Sequence, residues 1–172
     1  MIVRRLIVTL ALFWGMTSAA VAAVPRAAAP EKLLDLRQPS VVAAALRQAG
    51  FKAEMKTNAK GEPYIESSAN GSSFTIEFYN CTGLVDCTSY QFASWYKADP
   101  LFTPAFANEW NLAKRFLKIA VDKDGNLDEY MDFTAKGKTT YANFADIVDW
   151  YQTMDASLAK FIAEHQTAAK GK

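Results

Sequence analysis

The two cysteines are the clearest candidates for chemistry in this sequence. Cys81 and Cys87 are its only cysteines and are separated by Thr-Gly-Leu-Val-Asp. In an exported protein such a pair is expected to form a disulfide. A redox couple is the alternative, but the spacing is not Cys-x-x-Cys and no thioredoxin-like βαβ pattern accompanies it. Structural zinc needs about four nitrogen or sulfur ligands, more than two thiols and one imidazole provide. We therefore predict a structural disulfide, no metal and no cofactor.

The segment 122–128 resembles the start of a calcium-binding loop, because three aspartates and Asn126 alternate in it. However, Gly125 stands at the fourth position of the segment rather than the sixth, and the twelfth residue is Phe133 instead of an acid. Asp and Asn side chains also accept local backbone hydrogen bonds in turns, where Gly adopts the left-handed conformation. The pattern favours a turn over a calcium site.

The remaining titratable residues do not form a catalytic set in the sequence. His165 is the single histidine, near the C-terminus, and we expect it on the surface. No Ser or Cys in an elbow motif accompanies it, which argues against a hydrolase triad. Asp128 with Asp132, and Asp146 with Asp149, are carboxylate pairs, but adjacent exposed acids are commoner than catalytic dyads. We predict that the protein is not an enzyme; the alternative is a site of carboxylates and tyrosines dispersed through the fold.

The string Asn108-Glu109-Trp110-Asn111 is the most distinctive short motif. One interpretation is a core tryptophan with capping amides. The other is the rim of a partner-binding surface, since exposed Trp and Tyr dominate interaction hot spots. Candidate partner-binding residues are Trp95, Tyr96, Phe102, Trp110 and Asn111.

Hydrophobic periodicity predicts the elements that would position these residues. Ser40 and Gly50 bracket an apolar set at helical spacing, which indicates a first helix. The turn 58–63 then separates two short strands. After Asn70-Gly71, alternation of apolar and polar residues over 74–79 indicates a strand with one buried face.

The second half of the chain predicts a strand, a helix, a hairpin and a long helix. Residues 87–96 are rich in β-formers and should pair antiparallel with the preceding strand. Thr103-Pro104 begins a second helix. Residues 117–121 and 127–133 form a hairpin. From Thr140, apolar residues at helical spacing indicate a helix of about five turns. The whole order favours an α+β fold, an antiparallel sheet packed by helices.

The first 23 residues have the composition of a secretory signal. Two arginines precede the apolar run Leu6–Met16, and the small residues 17–23 follow. Cleavage after Ala22 or after Ala23 fits equally well. An uncleaved membrane anchor is the alternative, but the strongly apolar part is only about eleven residues long.

We expect a flexible lead-in at 24–39, a single domain at 40–165 and a frayed C-terminus at 166–172. Removal of 1–23 leaves 17 basic and 18 acidic residues, a net charge of −1. Neither nucleic-acid binding, which usually needs a basic stripe, nor stable membrane insertion after cleavage is expected.

Six strings, in their order and spacing over roughly 40–161, resemble the YbjN-like domain, a family described as bacterial sensory transduction regulators. They are residues 45–54 (ALRQAGFKAE), 61–65 (GEPYI), 74–79 (FTIEFY), 108–111 (NEWN), 115–116 (RF) and the hairpin around Asp124-Gly125. The resemblance implies a fold similar to type III secretion chaperones, and it carries over no catalytic residues. Such a fold suggests binding of an extended peptide or protein, and pairing into a homodimer.

These observations favour a non-enzymatic binding or regulatory module of the bacterial envelope, periplasmic or secreted, with chaperone-like binding of a protein or peptide partner. The export signal and the cysteine pair set the chain apart from cytoplasmic relatives. The alternatives are the dispersed enzyme site and a structural, stress-protective envelope protein.

Overall fold

The computed structural model describes residues 32–171, so the predicted signal at 1–23 lies outside the described residues. It confirms the α+β fold and the predicted order of elements. In chain order the elements are β1 Leu33–Leu34, α1 Pro39–Gln48, β2 Glu54–Thr57, β3 Pro63–Ala69, β4 Ser72–Tyr79, β5 Ser89–Tyr96, α2 Pro104–Ala113, β6 Lys118–Val121, β7 Leu127–Thr134, β8 Thr139–Thr140 and α3 Tyr141–Lys170.

The main sheet has six strands in the order β2-β3-β4-β5-β7-β6, and every neighbouring pair is antiparallel. The predicted pairing of β5 with the strand before it is confirmed. The hairpin β6–β7 is confirmed as well, and β7 inserts between β6 and β5. A separate two-stranded sheet joins β1 to β8.

All three helices contribute buried side chains to one core on a single face of this sheet. The predicted inward residues of β4, Phe74, Ile76 and Phe78, are buried. Val42 and Leu46 of α1 belong to the same core cluster. The apolar stripe of α3 completes it, with Phe144 and Leu158 fully buried. Burial of this apolar surface is the main stabilising contribution to the fold.

The helix ends explain two differences from the predicted boundaries. Helix α1 begins at Pro39, so Ser40 lies in its first turn and is not its cap; proline suits this position because its fixed φ is already helical. Thr103 caps α2 as predicted, accepting a hydrogen bond from the Phe106 backbone N–H at 3.2 Å. Thr140 caps α3, which continues to Lys170. Helix α3 thus extends into the predicted frayed end at 166–172. The reason is that helix-forming residues follow its last apolar position.

Part of the predicted lead-in contacts the domain. Leu33 and Leu34 pair with Thr140 and Thr139, and Leu36 is buried in the core. Within residues 32–171, no helix combines the length and the hydropathy needed to cross a bilayer.

The predicted disulfide between Cys81 and Cys87 is present. It closes the loop between β4 and β5, where the backbone N–H of Cys87 also donates to the Arg37 carbonyl at 2.9 Å. Cys87 is fully buried. The disulfide therefore fixes the connection between the two strands at the centre of the sheet, and the hydrogen bond from Cys87 to Arg37 ties this connection to the segment before α1.

We expect the double variant Cys81→Ala/Cys87→Ala to unfold with a free energy lower by about 2 kcal/mol, because the disulfide closes a loop of about seven residues in the unfolded chain. Urea denaturation of the oxidised proteins measures this difference. A reducing agent should lower the midpoint of the unmodified protein and leave that of the double variant unchanged. Equal midpoints for the unmodified protein and the double variant, both measured without reducing agent, would contradict the prediction.

Candidate functional site

The main sheet carries helices on one face, and its other face is exposed. Along β5, the buried Tyr90 and Phe92 alternate with outward residues such as Ala93. Ala93 pairs with Thr75 of β4 and Tyr130 of β7, which carries the same alternation across the sheet. We call this surface the open face. Its side chains are the even-numbered residues of β2, β3, β6 and β7 and the odd-numbered residues of β4 and β5.

The open face contains a cavity of about 840 Å³ that crosses the central strands. Small side chains line part of it, including Thr75, Ala93 and Ala120. Larger side chains, Trp95 and Tyr130, line it as well. Antiparallel sheets commonly expose one polar face to water, but a concave surface lined by aromatic side chains can also seat a ligand.

Trp95 is the most exposed of the predicted partner-binding residues, with 63% of its surface accessible. It pairs across strands with Asp128 of β7, so the indole and the carboxylate are direct neighbours on the open face. Partial burial, and then the charge of Asp122, raise the pKa of Asp128. A cation near Asp128 would offset both effects.

Trp110 is correctly described by the core interpretation and not by the surface one. Its side chain is fully buried, and its indole N–H donates to the Leu117 carbonyl at 3.1 Å. Asn111 is bound to the edge strand β6, because its side chain accepts from the Ile119 backbone N–H and donates to the Ile119 carbonyl. Both residues attach α2 to the sheet.

Tyr96 and Phe102 also lie on the helix side. Phe102 is buried, and its ring meets that of Tyr96 edge-on at 6.5 Å between centroids. Burial raises the pKa of Tyr96. Of the five predicted partner-binding residues, the structure therefore leaves Trp95 as the one with an exposed aromatic ring.

The acidic segment 122–128 forms a turn, as predicted. The Asp122 carboxylate accepts from the backbone N–H groups of Asp124 at 2.8 Å and Asn126 at 2.9 Å. The hydrogen bond from the Asn126 side-chain amide first, and then these backbone bonds, lower the pKa of Asp122. Within residues 32–171, no group of three or more His, Cys, Asp or Glu side chains is placed to hold a metal ion.

His165 is half-buried and not a free surface residue. Its ring lies 4.2 Å from that of Phe161 and 5.3 Å from that of Phe106, between centroids. Its Nε2 is 3.4 Å from a carboxylate oxygen of Glu109. The ring therefore contributes to the packing of α3 against α2, which the prediction of a surface residue missed.

A buried carboxyl pair, which the sequence reading did not identify, lies between α3 and the helix-side face of the sheet. Glu129 of β7 and Asp155 of α3 are 1% and 6% exposed. The Tyr151 hydroxyl donates to Glu129 Oε1 at 3.0 Å, and the Asn70 amide donates to Asp155 Oδ2 at 2.7 Å. Glu129 Oε2 accepts no hydrogen bond from the described residues.

The buried position of Glu129 favours the neutral form of its carboxyl group at neutral pH. Burial first, and then the charge of Asp155, raise the pKa of Glu129 to about 8, and the hydrogen bond from Tyr151 offsets part of the shift. The neutral form of the Glu129 carboxyl avoids the cost of a buried charge whose Oε2 atom has no hydrogen-bond partner among the described residues. Glu129, Asp155 and Tyr151 are all buried, so the cluster forms a packing contact between α3 and the sheet.

The signal for this pair was present in the sequence. Glu129 falls at an inward position of β7, between Leu127 and Met131, where an apolar residue is expected. Tyr151 and Asp155 are four residues apart within the apolar stripe of α3. Acidic residues at inward positions of two different elements indicate a buried interaction between them.

The family model described as "YbjN: Putative bacterial sensory transduction regulator" matches residues 38–163, more than half of the chain. No curated protein matches the chain. The matched span runs from the start of α1 into α3 and includes both the open face and the buried carboxyl pair.

The raised pKa of Glu129 predicts that stability falls as pH rises. A folded-state pKa of about 8, against an ordinary value of 4.5, disfavours the carboxylate in the folded protein. Below about pH 4.5, Glu129 is neutral in both the folded and the unfolded chain, and the folded protein keeps its full stability. Between about pH 4.5 and pH 8, the unfolded chain ionises more readily than the folded one, and stability is lost progressively. We expect the free energy of unfolding to fall by on the order of a few kcal/mol across this window.

Glu129→Gln should largely remove this pH dependence and be more stable than the unmodified protein at pH 8.5. Its amide keeps the acceptor for Tyr151 and supplies a donor to Asp155. Urea denaturation at intervals between pH 4.5 and 8.5 measures both curves, and the exposed Asp149→Asn serves as the matched control. A Glu129→Gln curve that runs parallel to those of the unmodified protein and of Asp149→Asn would refute the assignment.

Proposed function

The chain belongs to the YbjN family, and on that premise we propose that it is a non-enzymatic binding module of the bacterial envelope. Its partner is an extended segment of a peptide or protein, which it holds on the open face in a chaperone-like manner. Trp95, exposed beside the cavity of about 840 Å³, is the observation that carries this proposal. Exposed tryptophans are enriched among residues that dominate binding energy.

The distribution of the helices supports the open face as the binding surface. The three helices bury their apolar side chains on the opposite face, so their packing leaves the concave surface accessible. The central strands are paired on both edges, and a ligand on this face is therefore recognised by side chains and not by strand addition.

A non-enzymatic role is favoured over the dispersed carboxylate and tyrosine site. Catalytic carboxyl groups often have a pKa raised towards neutrality. Here Glu129 has such a pKa, but its side chain is buried in the cluster on the helix side. The family description is regulatory and names no reaction. A structural, stress-protective role is the remaining alternative, and identification of a bound partner separates it from a binding module.

The envelope location is part of the proposal. The disulfide between Cys81 and Cys87 supports it, because such bonds persist in oxidising compartments and are rare in the cytosol. The predicted signal at 1–23 would deliver the chain there. A homodimer also stays a prediction, which sedimentation equilibrium at high concentration tests.

We expect a photoreactive amino acid at position 95 to crosslink to a partner in an envelope extract, and the same group at position 150 to capture markedly less of it. Trp150 is the matched control, because it is also an exposed tryptophan, at 41%, but lies on α3. Mass spectrometry of the adducts measures the difference. Equal labelling at both positions, or none above background at position 95, would contradict the proposal.

A further inference from the structure

From the charge and shape of the open face, we propose that the segment it binds is a basic, extended stretch of a partner protein, with a Lys or Arg side chain seated between Trp95 and Asp128. This inference rests on the proposed function and names the chemistry of the partner.

The first reason is the charge balance of the open face. Its outward positions carry five carboxylates and two lysines. The carboxylates are Glu54, Glu66, Glu77, Asp128 and Asp132, and the lysines are Lys56 and Lys118. The chain without its predicted signal has a net charge of only −1. The negative charge is therefore concentrated on this surface.

Both lysines are already engaged. Lys56 is paired with Glu66 on the neighbouring strand. Lys118 is turned away towards the end of α2, where its ammonium group donates to the carbonyls of Asn111 at 3.0 Å and Lys114 at 2.8 Å. Neither is free to neutralise the carboxylates near the cavity.

Three carboxylates consequently lack a cationic partner within the described part of the chain: Glu77, Asp128 and Asp132. Glu77 accepts from the Tyr79 hydroxyl and Asp132 from the Gln91 amide, both at 2.8 Å. These neutral donors fix the orientation of the two side chains without cancelling their charge. In the described residues, the carboxylate of Asp128 accepts no hydrogen bond, so it is the group that a ligand cation would benefit most.

The pairing of Trp95 with Asp128 specifies the cation. An ammonium or guanidinium group lying over an indole ring is attracted by the ring's electron density within about 6 Å. Because Asp128 is the direct cross-strand neighbour of Trp95, one Lys or Arg side chain can contact both. Its aliphatic stem covers the indole, and its charged end meets the carboxylate.

The spacing of the acids fits an extended segment. Asp128 and Asp132 are four residues apart on β7, which corresponds to about 13 Å along a strand. Side chains i and i+4 of an extended peptide are separated by the same distance and point the same way. Small side chains at Thr75, Ala93 and Ala120 leave room for its backbone.

Fluorescence anisotropy with labelled decapeptides tests this inference. One peptide alternates lysine with valine, and two matched peptides replace lysine with glutamine or glutamate. We expect the lysine peptide to bind at least about tenfold more tightly than the glutamine peptide at low ionic strength, and to weaken as salt is added. The glutamate peptide should not bind detectably.

Two substitutions on the open face locate the binding. Trp95→Ala and Asp128→Asn should each weaken the lysine peptide by about fivefold or more, whereas Trp150→Ala should leave its affinity unchanged. Both altered side chains are exposed, so folding should be little affected, which circular dichroism checks. Unchanged affinity in both open-face variants would overturn the inference.

The remaining outcomes separate the inference from the proposed function. If lysine and glutamine peptides bind equally and both depend on Trp95, the open face binds peptides but not basic ones. If spermine binds as tightly as the lysine peptide with the same dependence, the ligand is a small polycation and the inference fails. If no peptide binds, the partner segment that crosslinks at position 95 gives the answer. A basic segment supports the inference, and a neutral or acidic segment overturns it. If position 95 forms no adduct at all, the proposed function fails together with the inference.

Discussion

The covering of the sheet on one face is the constraint on which the rest of this structure depends. Apolar burial requires each helix to pack its stripe against a sheet face, and here α1, α2 and α3 all use the same one. Along the strands, buried side chains alternate with outward ones, and Phe74, Ile76 and Phe78 are the buried residues of β4. Because strand side chains have a period of two, residues that satisfy the core fix which residues face outward. The open face is therefore as fully determined by the packing as the core is.

Local order could be predicted from the sequence because its causes are local. Thr103 followed by Pro104 specified the start of α2, and Gly125 marked the β6–β7 turn, where its φ is +83°. The position of β7 between β5 and β6 was not predicted, because that pairing joins segments about forty residues apart and depends on the whole sheet. The pairing of Leu33 and Leu34 with β8 was missed for the same reason.

The two tryptophans Trp95 and Trp110 show that a short sequence motif does not determine whether an aromatic side chain is buried. Both belonged to the predicted binding surface, yet one is 63% exposed and the other is fully buried. For Trp110, the motif allowed both a core and a surface interpretation, and the structure supports the core one. The role of Asn111, which pairs with both backbone groups of Ile119, requires α2 to lie against the edge strand and cannot be read locally. The exposure of Trp95 follows from its position on β5, where it has the opposite parity to the buried Tyr90 and Phe92.

Strand β7 connects the two chemically unusual regions of the molecule. Its inward side chain Glu129 lies in the buried cluster with Tyr151 and Asp155 of α3, whereas its outward neighbour Asp128 lies beside Trp95. Both edges of β7 are paired along this stretch, so the strand has little freedom to move by itself. Ionisation of Glu129 would place its negative charge near Asp155 at the boundary between sheet and helix, and repulsion between the two carboxylates would oppose the packing of α3 there. We therefore expect pH to act on the packing of α3 against the sheet, whereas the outward side chains keep the positions that strand pairing fixes.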